Sequence, residues 1–196
     1  MSVEWRMWSR KTTSTLHAGS DSDALRTPNG VGASLPLAED IAVRVKLFRF
    51  AGYPAGQTDF ETVGAVIPGN PLYELDLELE RMGNGINGTA NIRSSITIVG
   101  HSDRQDRADM SCDQRRQSEI DASTARAVSA WEWIKPVVDE YARRGGWAGT
   151  EWWEESDRAA WALVYAACGM LLTQSHTEAE RAQNRRVDIL ITTFDV

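Results

Sequence analysis

The 196-residue chain is 42% hydrophobic and 25% charged, the makeup of one ordinary globular domain with a possible appendage, which excludes collagen, coiled coil and wholesale disorder. Its 21 basic and 28 acidic residues leave a net charge of -7, a field that repels a phosphate backbone, so nucleic acid is not an expected partner. The longest charge-free apolar run, Ala159 to Leu172, is 14 residues, short of the roughly 20 that a membrane-spanning helix needs, so no membrane span is expected.

At the N-terminus, Glu4, Arg6 and Arg10 interrupt the apolar residues, so no signal-peptide hydrophobic region is visible and cytosolic assembly is the expectation from this end of the chain. Residues 11–38 are rich in Ser, Thr, Gly, Asp and Pro without an apolar period. Residues 1–38 therefore read as a flexible N-terminal arm, with 39–196 as the folded domain. Trp5, Met7 and Trp8 on that arm suit either docking to a partner or folding back onto the domain. Cys112 and Cys168 are far apart and form no CxxC, so at most they make one bridge.

From Val43 apolar residues alternate with Arg44 and Lys46, predicting a strand over Arg44–Phe50. Asn70 to Gly83 fits two periods. Leu75, Leu77 and Leu79 alternate as in a strand, yet Leu72, Leu75, Leu79 and Met82 fall at helical spacing with Asn70 as cap, Pro71 in the first turn and Gly83 at the stop; helix is preferred. Ser95–Gly100 is apolar on both sides, as in a strand covered on both faces or paired deep in a sheet. A helical stripe of Ile120, Thr124, Ala127, Trp131, Ile134, Val138 and Tyr141 starts near Ser118, where Ser118 to Asp121 resembles a capping box, and Pro136 should kink it or begin a second segment. Strands are placed at Leu163–Cys168 and Arg186–Phe194, with a short helix over Thr177–Asn184 between them. The order β-α-β-α-β-α-β indicates an α/β layer fold, with helix Ser118–Lys135 on one face of a single sheet.

Three segments go further. Gly100-His101-Ser102-Asp103 ends one strand, Ala122-Ser123-Thr124-Ala125-Arg126-Ala127-Val128 lies in the long helix, and Asn184-Arg185-Arg186-Val187-Asp188-Ile189 opens the last strand. Together they resemble the OmpA-like peptidoglycan-binding family, which includes the peptidoglycan-associated lipoproteins and flagellar stator proteins, over a motif-bearing part at about 95–196. The resemblance implies a two-layer α/β sandwich of OmpA-like type. It also implies a non-catalytic peptidoglycan-binding module, a cell-wall anchor in the cell envelope or periplasm that recognises diaminopimelate and needs no cofactor. The family's ligand pair falls on Asp103 and Arg126, with Ser102, Asn184, Arg185 and Arg186 as further ligand-binding candidates. Asp103 and Arg126 stand 23 positions apart, longer than the family spacing by about two helical turns. Residues 104–117 therefore read as an insertion forming a lip beside the site, and the Trp-dense 145–161 as a second insertion.

The chemistry agrees with that assignment. The free end of diaminopimelate carries an ammonium and a carboxylate, which call for one fixed anion and one fixed cation; Asp103 can accept from the ammonium and Arg126 can fork onto the carboxylate. A structural subunit of an envelope-facing machine, a phage-tail-like injection or secretion apparatus using the fold and its arm for protein contacts, is the alternative, and it would need no signal peptide.

Other constellations are weaker. His101-Ser102-Asp103 has the triad residue types, but consecutive strand residues point to opposite faces and cannot build the hydrogen-bond chain, so no catalytic residue is assigned. A structural His101 is expected in place of a metal ligand. Gly83 to Gly88 matches GxGxxG without an opening helix or a following acidic residue, and reads as a turn. The tryptophans between 147 and 161 suit a core filler, a glycan-stacking platform or a docking surface, core being preferred.

Overall fold

The computed structural model describes residues 43–86, 92–104, 109–149, 152, 159–166 and 170–195. The arm expected over 1–38, Cys168 and Trp153 lie outside them. In chain order the elements are β1 (Val43–Ala51), α1 (Phe60–Val66), α2 (Pro71–Ile86), β2 (Ile92–His101), α3 (Cys112–Arg144), β3 (Ala159–Ala166), α4 (Glu178–Asn184) and β4 (Arg186–Asp195). The strands form one sheet in the order β1-β4-β2-β3, with β4 antiparallel to β1 and β2, and β3 parallel to β2. The architecture is the two-layer α/β arrangement expected from the sequence.

Alternation on the strands makes the core. Phe48 and Phe50 of β1, Val187, Ile189 and Ile191 of β4, and Ile96 and Ile98 of β2 point to one face, where Leu75, Leu79 and Met82 of α2 and Ala127, Ala130, Ile134 and Val138 of α3 cover them. Register places Ile189 between Phe48 and Ile98, so the buried side chains form continuous rows across strands. β2 is an inner strand whose other face, at Ser95, Thr97 and Val99, is half-buried. Among the described residues no helix is long and apolar enough to cross a membrane.

Several boundaries differ from the sequence expectation. Residues 71–86 are a helix, but it runs through Gly83 to Ile86 in place of stopping there, and so part of the expected turn is helical. Close packing is the reason for these glycines: a Cβ on Gly83 would lie 2.5 Å from Tyr141 Cβ of α3, and one on Gly85 2.6 Å from Ile92 Cγ1. The long helix begins at Cys112, not Ser118. Ser111 is its N-cap in a reciprocal capping box with Gln114, and the first two turns are exposed and polar, so no apolar stripe announces them. Residues 112–117 of the stretch expected as a lip are thus the start of α3. Pro136 neither ends the helix nor starts another, because the buried stripe Ile134, Val138 and Ala142 continues on both sides of it and Pro136 itself is exposed.

β3 occupies 159–166 and not 163–168. Its apolar run has no alternation to set a frame, and pairing with β2 decides it, from Ser94 opposite Ala159 to His101 opposite Ala166. Trp161 therefore belongs to the sheet, while Trp152 is buried against Trp131 with ring centroids 5.8 Å apart and Trp147 packs on the core, which favours the core-filling reading over a platform. Cys112 is an exposed free thiol.

Candidate ligand-binding site

Because β4 is antiparallel to both β1 and β2, Ala51 and His101 each pair with Arg186. The C-terminal ends of β1 and β2 thus emerge beside the start of β4. Three short segments meet there: the loop after β1, Ser102-Asp103 after β2, and Arg185 before β4.

The loop after β1 turns through Gly52 and Gly56, both at positive φ (98° and 76°) that a side chain would strain. It is pinned by hydrogen bonds from Gly52 N to Ala182 O (2.9 Å) and from Tyr53 N to Arg185 O (3.3 Å). Tyr53 is fully buried, and its hydroxyl has no hydrogen-bond partner among the described residues. Burial raises the pKa of its phenol by disfavouring the phenolate, an effect Arg126 opposes and Asp59 reinforces.

Arg126 reaches this corner from the buried stripe of α3. The helix approaches β2 so closely that a Cβ on Gly100 would lie 1.9 Å from Ser123 O and 2.9 Å from Ala127 N. Only 2% exposed, Arg126 donates from Nη1 to His101 O (2.8 Å) and from Nε to Gln57 O (3.2 Å), with its guanidinium 5.4 Å from the Tyr53 ring centroid. Among the described residues it forms no ion pair with a carboxylate. Burial lowers its pKa to about 10, with Asp103 and Tyr53 opposing the shift and Arg185 adding to it. The group stays charged at neutral pH.

Asp103, also buried, accepts from Arg185 Nη1 at 3.0 Å. Arg185 further donates from Nε to Tyr53 O (2.6 Å) and from Nη2 to the exposed Glu178, whose carboxyl is held below the usual range by its hydrogen bonds from Arg185 and Arg181. Ser102 Oγ is buried with no hydrogen-bond partner among the described residues.

Asp103, Arg126 and Arg185 therefore come together, with Ser102 next to Asp103. Asn184 and Arg186 are engaged elsewhere. The Asn184 carboxamide clamps 172–175, accepting from Leu172 N (2.7 Å) and Thr173 N (3.0 Å) and donating to Thr173 O (3.1 Å) and Ser175 Oγ. Arg186, one residue past Arg185, turns to the opposite side by strand alternation. It donates to Met170 O at 3.1 Å from both Nη atoms and to Asp188 at 3.1 Å. Asp188 also accepts from Arg49 and lies 3.2 Å from His101 Nε2, so the His101 ring serves this second cluster and not Ser102 or Asp103.

Sequence reasoning missed Tyr53, Gln57 and Glu178. A signal existed for two of them: Tyr53 is an aromatic inside a Gly/Pro loop directly after a strand, and Glu178 stands seven residues before Arg185, two helical turns away.

No family model and no curated protein matches the sequence. Among solved structures, the chain is similar to the peptidoglycan-associated lipoprotein from Burkholderia pseudomallei, at 14% identity and TM-score 0.42, covering 73% of this chain and 88% of that one. It is similar to the periplasmic domain of Helicobacter pylori MotB, at 16% identity and TM-score 0.35, covering 75% of each. A third is the cell wall anchor of the T6SS from Pseudomonas aeruginosa, at 19% identity and TM-score 0.33, covering 77% of this chain and 86% of that one.

Proposed function

We propose that the chain is a non-catalytic module that binds peptidoglycan through the diaminopimelate of its stem peptides, anchoring a protein or assembly to the cell wall in the bacterial envelope. The observation that carries this reading is Arg126, a buried cation held by two backbone carbonyls and an aromatic face, without a carboxylate ion partner among the described residues, beside the buried carboxylate of Asp103. A buried charge of this kind is stabilised by an anion that the ligand brings, and a guanidinium matches a carboxylate bidentately. Asp103 accepts one bond from Arg185 and retains capacity for an ammonium. The pair fits the zwitterionic end of diaminopimelate, and the motif resemblance assigns the same two residues. Ser102 offers a neutral hydroxyl beside them. Arg185 positions Asp103, and Asn184 and Arg186 act as framework, through the bonds described above.

Arg126→Ala and Arg126→Lys test the site, because Asp103 keeps its Arg185 partner in both. Removing one member of a desolvated charge contact costs about 2–5 kcal/mol, so both variants should bind a soluble diaminopimelate-containing muropeptide at least tenfold more weakly by calorimetry. A lysine-type muropeptide, lacking the carboxylate, should bind wild-type protein poorly. Equal retention of both variants on purified sacculi would overturn the site.

A further inference from the structure

We propose that the Tyr53 hydroxyl is a second donor to the carboxylate held by Arg126, so that the site selects a free carboxylate over a carboxamide. This inference rests on the peptidoglycan reading above and extends it to a residue outside the three motifs.

Tyr53 is 0% exposed, and its oxygen lacks a hydrogen-bond partner among the described residues. A buried hydroxyl left unpaired lowers stability, so phenylalanine would serve packing better. The chain uses phenylalanine around it, at Phe48, Phe50 and Phe60, with Phe50 and Phe60 in edge contact at 4.6 Å. Among the described residues nothing in the fold pairs with the hydroxyl that distinguishes this tyrosine from phenylalanine.

The ring is also held firmly. Its backbone N–H donates to Arg185 O, its carbonyl accepts from Arg185 Nε, and its face meets the Arg126 guanidinium. Burial keeps the phenol protonated, hence a donor, throughout the physiological range. An anion meeting Arg126 here would find a charged fork that can only donate and, beside it, a protonated hydroxyl. A carboxylate sets its charge against the fork and accepts from both. A carboxamide brings no charge, and with its oxygen toward the fork it meets the hydroxyl only if that O–H turns away to accept from N–H2, so it loses the charge-assisted contact and one of the two donated bonds.

The experiment is calorimetry of wild type and Tyr53→Phe with a diaminopimelate-containing muropeptide, in free and amidated forms, alongside thermal melts of each protein without ligand. Wild type should prefer the free form by at least tenfold. Tyr53→Phe should weaken binding of the free form about five- to tenfold, the loss of one buried hydrogen bond, while its melting temperature stays level or rises. Unchanged binding in Tyr53→Phe, or equal affinity of wild type for the two forms, overturns the inference and leaves the Arg126 site standing. A fall in melting temperature shows that the hydroxyl is structural and also overturns it. Failure of wild type to bind either form overturns the peptidoglycan reading, and this inference with it.

Discussion

Asp188 shows how one residue can tie three strands. Its carboxylate on β4 accepts from Arg49 Nε of β1 at 2.8 Å and from Arg186 Nε at 3.1 Å, and lies 3.2 Å from His101 Nε2 of β2. Burial alone would raise its pKa, but the close approach of His101, the hydrogen bonds from Arg49 and Arg186 and the charge of Arg186 outweigh burial and hold the carboxyl well below its usual range. A depressed carboxyl pKa stabilises the fold above the unfolded value, near pH 4, and that contribution is lost as pH falls from there through the folded value. Asp188→Asn should therefore melt lower than wild type at pH 7, with the difference shrinking as pH is lowered from about 4 to 2. Parallel melting curves over that range would count against the assignment. The motif Asn184-Arg185-Arg186 offered both arginines as candidates, and only alternation at the β4 start separates them, sending Arg185 to the Asp103 corner and Arg186 to Asp188.

Among the elements, α3 and β2 carry the site, and their spacing depends on Gly100. Any side chain there would meet the backbone of α3 at Ser123 O and Ala127 N, neither of which is the free end of a flexible group. Overpacking of this kind typically costs about 1–3 kcal/mol, and here the contact is with backbone, so Gly100→Ala should lose at least about 2 kcal/mol of stability in urea denaturation. It should also shift Arg126, which is one turn along the helix from Ser123, and weaken muropeptide binding. A variant as stable as wild type would show that α3 can move away from β2 freely. The presence of both elements was legible from periodicity, and β2 because six residues of strand pattern ended in a recognisable motif. The start of α3 was not. Its first two turns are solvated on all sides, so hydrophobic periodicity carries no information there, and the signal was the Ser111–Gln114 capping box further upstream.

At the scale of the molecule, residues Asp40–Val196 form one compact unit, and the core runs from Phe48 to Ile191 within it. A protein beginning at Asp40 should keep the melting temperature and sacculus retention of the full chain, because none of the proposed ligand contacts and none of these core residues precede that point. A drop of several degrees would show that the first 39 residues contribute to the fold. The net charge of -7 coexists with a candidate site built on buried arginines, so the overall acidity says little about what the corner between β1, β2 and β4 binds.

Periodicity was enough for the α/β class and for the strands β1, β2 and β4, because alternation and helical spacing are local properties that linear order preserves, while Asp103 and Arg126 were offered as candidates by the motif resemblance. Tertiary structure alone decided the frame of β3, since a uniformly apolar run pairs in whatever register its neighbour β2 imposes. It also decided which arginine meets Asp103. Tyr53 reaches the same corner for the same reason: a loop residue 50 positions before Asp103 is brought near it only because β4 runs antiparallel between β1 and β2, which carries the ends of both strands to one edge of the sheet.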